Sequence, residues 1–184
     1  WKKQTTDTSS GNIGFGNGMG QIPWEDIVAN DLEYLYLGTN LIEISFSGSY
    51  SLKKGTRVIA DGAFAGCNAE SVTLSNTLVA IGENAFKDCN SLKNIKFNEN
   101  IEIIGDYAFD GCTSLETINL PDKYIEMSST SFYNTGFYNT PNNWDNNVLY
   151  IENALIDVSE NADIVEIKEG TKYVVGDSLG ENNA

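Results

Sequence analysis

Ile104-Gly105-Asp106-Tyr107-Ala108-Phe109-Asp110-Gly111-Cys112 decides the fold, because the chain repeats it with small changes. Ile81-Gly82-Glu83-Asn84-Ala85-Phe86-Lys87-Asp88-Cys89 stands upstream, and Ile59 to Phe64 to Cys67 stands before that. Met127, Phe132 and Thr135 hold the same phases in a fourth version. The phenylalanines at 64, 86, 109 and 132 follow one another at 22, 23 and 23 residues. Self-similarity at this period is the mark of a solenoid. No unit buries its own apolar face, and each is covered by the units on either side.

Working outward from the quoted stretch, Leu92-Lys93-Asn94-Ile95-Lys96-Phe97 precedes it. Its end alternates, with Ile95 and Phe97 expected inward and Asn94 and Lys96 outward, which predicts a short half-buried strand. Val72 and Leu74 take these inward places one unit earlier, and Ile118 and Leu120 one unit later. Asn98-Glu99-Asn100 turns the chain, Ile101, Ile103 and Ile104 make a second apolar stretch, and Gly105-Asp106 turns it again. Phe109 and Cys112 lie three apart, so one helical turn buries both. The small residues Ala63, Ala85 and Ala108 before each Phe allow close stacking. Gly82 and Gly105 share a turn position with Ala60, so a positive φ is not required there.

The three cysteines, Cys67, Cys89 and Cys112, occupy one phase. They are read as a ladder of small buried residues. Disulfide pairing is the rival, since rungs about 4.8 Å apart fall within reach of a bridge. An odd count and Thr135 at the fourth rung favour packing. No local Cys-x-x-Cys spacing provides a metal site.

A second period is longer. Leu35-Tyr36-Leu37 through Ser45 matches Leu149-Tyr150-Ile151 through Ser159 at an offset of 114, and Leu52 through Asp61 matches Ile167 through Asp177 with one residue of slip. Pro23-Trp24 and Pro141-Asn142-Asn143-Trp144 precede the two blocks. The expected organisation is a flexible N-terminal segment (1–13), a first irregular Trp-containing cassette (14–58), regular coils (59–135), and a second cassette with a truncated final coil (136–184), all in one solenoid domain. Leu179 and Gly180 stand where Ala-Phe is expected. Trp24 and Trp144 are read as packing anchors for the cassettes.

Composition narrows the function. The chain of 184 residues carries a formal charge of −15 and no histidine. Phosphate recognition needs clustered Lys and Arg, so nucleic acid is not expected as a partner, and an anionic membrane surface equally not. Without histidine the commonest general base and zinc ligand are missing. No apolar run approaches the ~18 residues of a membrane span. The opening Trp1-Lys2-Lys3-Gln4 carries no signal-peptide pattern and reads as an internal start. Acidic loops such as Asp145-Asn146-Asn147 and Glu160-Asn161-Ala162-Asp163 supply oxygen ligands, but neither matches the D-x-[DN]-x-[DN]-G calcium loop. No cofactor or metal is expected.

Cys89-Asn90-Ser91-Leu92-Lys93-Asn94-Ile95-Lys96-Phe97, followed by Ile104-Gly105-Asp106-Tyr107-Ala108-Phe109-Asp110-Gly111-Cys112, resembles the leucine-rich repeat of BspA-like bacterial surface proteins. The resemblance covers roughly residues 14–180, and the cassette around Asn143-Trp144 and Val148-Leu149-Tyr150-Ile151 is similar to an interrupted repeat of such proteins. It implies a leucine-rich repeat solenoid, mostly β with short helical turns, its parallel strands stacked in a right-handed coil. It further implies an extracellular or cell-surface bacterial protein, non-enzymatic, that binds or adheres to a host or bacterial protein or glycan. A monomer without membrane insertion is expected.

Outward strand positions are the candidate partner-binding residues. One column is Ser71, Asn94 and Thr117, and the next is Thr73, Lys96 and Asn119. Tyr36 and Tyr150 are assigned the equivalent phase in the two cassettes, where tyrosine offers large contact area at low entropy cost. Two other readings compete: a spacer that displays another domain, and an enzyme built on a carboxylate pair across a cleft. The outward columns hold mostly Ser, Thr, Asn and Lys, which disfavours the second.

Overall fold

A computed structural model describes residues 12–13, 22–23, 27–30, 34–37, 40–44 and 47–179, with side chains described from Gly48 onward. Sixteen short strands occur among the described residues. The early ones are β1 (Asn12–Ile13), β2 (Ile22–Pro23), β3 (Ile27–Asn30), β4 (Tyr34–Leu37), β5 (Asn40–Ile44) and β6 (Ser47–Ser51). The regular region holds β7 (Val58–Ile59), β8 (Asn68–Thr73), β9 (Ala80–Ile81), β10 (Asn94–Lys96), β11 (Ile103–Ile104) and β12 (Thr117–Asn119). The second cassette contributes β13 (Trp144–Asp145), β14 (Val148–Ile151), β15 (Ala154–Val158) and β16 (Tyr173–Val174).

Each coil places one strand in each of two parallel stacks. In the first stack β6 pairs with β8 and β10 with β12, all parallel. A backbone bond from Lys93 N to the Glu70 carbonyl, 3.3 Å, joins the two pairs. The second stack is a six-stranded sheet in the order β11-β9-β7-β5-β4-β3. Here β5, β7, β9 and β11 run parallel, while β3 and β4 fold back as an antiparallel hairpin. The turns between the stacks are laddered as well. Phe64 N donates to the Ala85 carbonyl, Phe86 N to Ala108 and Phe109 N to Ser131, at 2.7, 2.7 and 2.9 Å. Bonding from coil to coil satisfies backbone groups that irregular turns would otherwise leave buried and unpaired.

The core is the repeat itself. Phe64, Phe86, Phe109 and Phe132 are fully buried and stack ring on ring, with centroids 4.5, 4.9 and 5.2 Å apart. Phe97 meets the edge of this column, 5.9 Å from Phe109 and 6.3 Å from Phe132. Ile95 and Phe97 point inward and Asn94 and Lys96 outward, as the alternation requires. The residue before each Phe is buried, and at the fourth rung Ser131 replaces alanine by donating its hydroxyl to the Gly105 carbonyl at 3.1 Å.

Cys67, Cys89 and Cys112 are buried free thiols. The Cys89 thiol donates to the Phe64 carbonyl at 2.9 Å and the Cys112 thiol to the Phe86 carbonyl at 3.0 Å, one coil back in each case. Cys67 Sγ lies 3.4 Å from Cys89 Sγ. Hydrogen bonding to Cys112, with burial adding to it, pushes the Cys89 thiol up to about 12. Its bond to Cys89 and burial raise the Cys67 thiol as well.

Gly82 and Gly105 are required by proximity. A Cβ on Gly82 would lie 2.3 Å from Asp61 Oδ1 and 2.5 Å from Asp61 N, and one on Gly105 would lie 2.6 Å from Glu83 N. Positive φ occurs at two other repeat phases instead: Gly62, Asn84 and Tyr107, and then Gly66, Asp88, Gly111 and Asn134.

The two cassettes share one construction. β4 and β5 form an antiparallel pair with a bulge between Leu35 and Tyr36, and β14 and β15 form one with a bulge between Leu149 and Tyr150. Asn40 pairs with Val58 as Ala154 pairs with Tyr173. This pairing sets the last coil at an offset of 115, so Ser178-Leu179 takes the Ala-Phe phase, one residue earlier than the sequence alignment placed it. Ser178 N accordingly bonds the Val175 carbonyl at 3.1 Å, as Ala63 N bonds Ala60 at 3.2 Å. Trp144 acts as an anchor: its indole N–H donates to the Tyr138 carbonyl at 2.7 Å and its ring packs edge-on against Tyr138. Trp24 lies outside the described residues, as does all of segment 1–13 except β1, which pairs with β2. Short 3₁₀ turns at Ser129–Phe132 and Pro141–Asn143 are the helical segments among the described residues.

Candidate binding face

The first stack sets its outward residues in ranks. Register pairs Ser49 with Ser71 and Asn94 with Thr117, then Ser51 with Thr73 and Lys96 with Asn119. The Lys93–Glu70 backbone bond brings Asn94 beside Ser71 and Lys96 beside Thr73. Two four-residue columns therefore run across the strands at the inter-strand spacing of about 4.8 Å. The structure thus brings together six of the candidate residues, Ser71, Asn94, Thr117, Thr73, Lys96 and Asn119. It also extends the columns by Ser49 and Ser51, which sequence reading missed. Their signal was present: Ser49-Tyr50-Ser51-Leu52 repeats the alternation of Ser71-Val72-Thr73-Leu74 at 22 residues, but it lay inside the irregular cassette.

Most of these side chains are unspent. Ser71 donates to Ser49 at 3.0 Å, but Thr73, Asn94, Lys96, Thr117 and Asn119 are exposed and form no side-chain hydrogen bond or ion pair among the described residues. Three asparagines of the turns are engaged instead. Asn98 donates to the Ser75 carbonyl, Asn100 to Asn76 and Asn143 to Phe137, within 2.7–2.8 Å. A third column, Glu70, Lys93 and Glu116, borders the face with alternating charge, and Lys93 lies 3.7 Å from Glu70.

Tyr36 and Tyr150 are not on this face. β4, which carries Tyr36, belongs to the six-stranded sheet, and β14, which carries Tyr150, belongs to the corresponding hairpin of the second cassette. The side chain of Tyr36 lies outside the described residues. Tyr150 is half-buried, its hydroxyl accepts the Lys168 N–H at 3.0 Å, and the Lys168 ammonium lies 5.8 Å from its ring centroid. It ties the cassette together. An alternating Leu-Tyr-Leu segment looks alike in either stack, so phase alone did not identify the sheet.

The electrostatics of the two stacks differ. The ranked face balances Glu70 and Glu116 against Lys93 and Lys96. Over the second stack a shallow groove of about 250 Å³ is lined by Ile81, Ile104 and the carboxylates of Asp61, Glu83, Asp106 and Glu126. No group of three or more His, Cys, Asp or Glu side chains among the described residues is arranged to hold a metal ion. Asn146 and Asn147, at φ 49° and 69°, make the tight hairpin turn between β13 and β14. The second cassette is fastened to the fourth coil. Asp122 accepts from both Lys172 and Asn153, which holds its carboxyl below the usual range, and Ser129 N donates to Asp177 Oδ1 at 2.6 Å.

The family model for the BspA type leucine rich repeat region matches residues 32–161 in six copies. Three solved structures are similar. A leucine-rich repeat protein of T. pallidum is 24% identical over 51% of this chain and 50% of its own, with a TM-score of 0.46. One from Eubacterium ventriosum is 22% identical over 56% of this chain and 28% of its own, with a TM-score of 0.47. Pneumococcal vaccine antigen PcpA is 11% identical over 85% of this chain and 62% of its own, also at 0.47. The chain thus spans less than two thirds of each. No curated protein sequence matches it.

Proposed function

The chain belongs to the BspA-type leucine-rich repeat family, and from that premise we propose that it is a non-enzymatic binding module of a bacterial cell-surface or secreted protein, recognising a protein or glycan through the first strand stack. One observation carries the reading. Thr73, Asn94, Lys96, Thr117 and Asn119 stand in register, exposed, with their hydrogen-bonding capacity unused. Stacked equivalents of this kind make the extended recognition surfaces of repeat proteins. The near balance of charge on the face favours a partner met through hydrogen bonds, with little electrostatic steering. Surface location is supported by the family. No helix among the described residues is long and apolar enough to cross a membrane.

The test is an array of extracellular-matrix proteins, mucins and glycans probed with the purified chain and with Asn94→Ala/Lys96→Ala/Thr117→Ala. The expected result is binding above background by the parent and a loss of at least about tenfold in the triple variant, as for truncations at the centre of an interface. Absence of any binding by the parent would favour the spacer reading. Equal binding by both proteins would move the site off this face.

A further inference from the structure

We propose that the first-stack face binds one linear, uncharged polysaccharide running across the strands, with one β-1,4-linked pyranose unit to each rank. The proposal rests on the reading of that face as the binding surface and names its ligand. Register supplies four ranks: Ser49 and Ser51, Ser71 and Thr73, Asn94 and Lys96, Thr117 and Asn119. They follow one another at the spacing of paired strands, about 4.8 Å, so the four span about 14 Å. One unit of an extended β-1,4-linked chain is close to this spacing in length, and its hydroxyls recur in step with the ranks. An extended peptide is out of step. Its side chains return to one face only every two residues, about 6.7 Å, which overshoots by about 2 Å at each rank. Along the strands the ranks are only two outward residues wide, so a long partner in register has to run across them.

The chemistry of the face points the same way. Ser, Thr and Asn side chains each donate and accept, as a sugar hydroxyl does. Thr73, Asn94, Thr117 and Asn119 are exposed with that capacity unspent among the described residues. A protein interface draws most of its energy from a few buried Trp, Tyr and Arg side chains, and this face supplies none of them. Tyr50 of β6 turns inward onto Phe64. None of the exposed large apolar side chains among the described residues lies on β6, β8, β10 or β12, and the single arginine of the chain, Arg57, precedes β7. Charge removes acidic polymers. Lys96 is the one charge within the ranks, Glu70, Lys93 and Glu116 alternate in sign along their border, and the chain as a whole carries −15, which repels a polyanion.

Calorimetric titration of the purified chain with β-1,4-linked oligosaccharides of glucose and of N-acetylglucosamine, from one unit to six, tests this. Affinity is expected to rise by at least about tenfold from two units to four, as two further ranks add their hydrogen bonds, and to level off where the four ranks end. Ser49→Ala/Ser51→Ala shortens the face to three ranks. It should remove the gain from the fourth unit and leave the affinity for three units nearly unchanged. Asn94→Ala/Lys96→Ala/Thr117→Ala interrupts the middle and should weaken the four-unit ligand by at least about tenfold. An affinity that is flat with length, or equal in all three proteins, overturns the proposal. So does the absence of saccharide binding by the parent. In that event, a matrix protein that binds the parent and not the triple variant would keep this face as the binding surface and give it a protein partner, whereas no binding of either kind would remove both readings.

Discussion

Phe86 and Phe109 lie face to face, their ring centroids 4.9 Å apart and their planes 5° from parallel. Each is the rung beneath the next, so truncating one uncovers two. Phe109 also meets the edge of Phe97 and the face of Phe132. Phe109→Ala is expected to cost about 3–5 kcal/mol in chemical denaturation, in the range of buried Phe truncations. A loss below about 1 kcal/mol would contradict the stacked column.

Glycine at 105 is held by contact with the preceding coil. Gly105→Ala would place a methyl group 2.6 Å from Glu83 N and 2.7 Å from Gly82 C, both backbone atoms that cannot swing aside. About 1–3 kcal/mol of destabilisation is expected, as for overpacking in a tight interior. Gly176→Ala is the control. Nothing lies within 4 Å of its added Cβ, and a change within about 0.5 kcal/mol is expected.

Burial keeps all three thiols unreactive in the fold, and the raised pKa values of Cys67 and Cys89 add to this, since the thiolate is the nucleophile. A colourimetric thiol reagent at neutral pH should find none of Cys67, Cys89 and Cys112 in the native chain and all three after denaturation under reductant-free conditions. Only one thiol after denaturation would reveal a bridge between two of them.

Tyr138 donates to Asp157 Oδ2 at 2.7 Å, and Val158 N donates to Oδ1 at 2.8 Å. Burial nonetheless raises the Asp157 pKa above its ordinary 3.8, with the charges of Asp177 and Glu160 contributing. A folded pKa above the unfolded one means that the folded chain binds more protons. Stability from this group is present below pH 3.8 and is lost as pH rises through the folded value. Asp122 acts in the opposite sense: its lowered pKa contributes stability above 3.8 that is lost in acid. Asp157→Asn removes the charge, and its one carboxamide oxygen can replace only one of the two carboxylate oxygens that accept from Tyr138 and Val158 N–H. The Tm of the variant relative to the parent should therefore be most favourable at pH 7 and should fall as the pH is lowered towards 3.8 and the parent carboxyl takes up its proton. A difference that stays constant with pH would contradict the raised pKa of Asp157.

The repeat was legible because packing enforces it. Phe64 to Phe132, the cysteine phase and the inward Ile95–Phe97 pair all follow from one requirement, that every coil cover the next. The cassette alignment was legible for the same reason, and its bulge recurs at the matching place, between Leu35 and Tyr36 and between Leu149 and Tyr150. Sheet membership was not legible. Strands of two residues such as β9 and β11 carry too little alternation to announce themselves, and Tyr36 and Tyr150 were assigned to the wrong stack. Nor were the left-handed positions. Gly62 and Asn84 mark one of them, but Tyr107 occupies it at φ 54°, a residue type that disfavours that conformation. Of the candidate face, three ranks were readable, and the first, Ser49 and Ser51, was hidden by the irregular cassette around it.

The first cassette's hairpin leaves the solenoid from the second stack beside β7, and the second cassette's hairpin pairs with β16 in a four-stranded sheet of its own. The ranked columns belong to the first stack and share no strand with them. A cassette can therefore lengthen, shorten or change its loops without moving a single rank of Ser71, Asn94 or Thr117. The two sides of the molecule are free to diversify independently, one by substitution within a fixed lattice and the other by insertion.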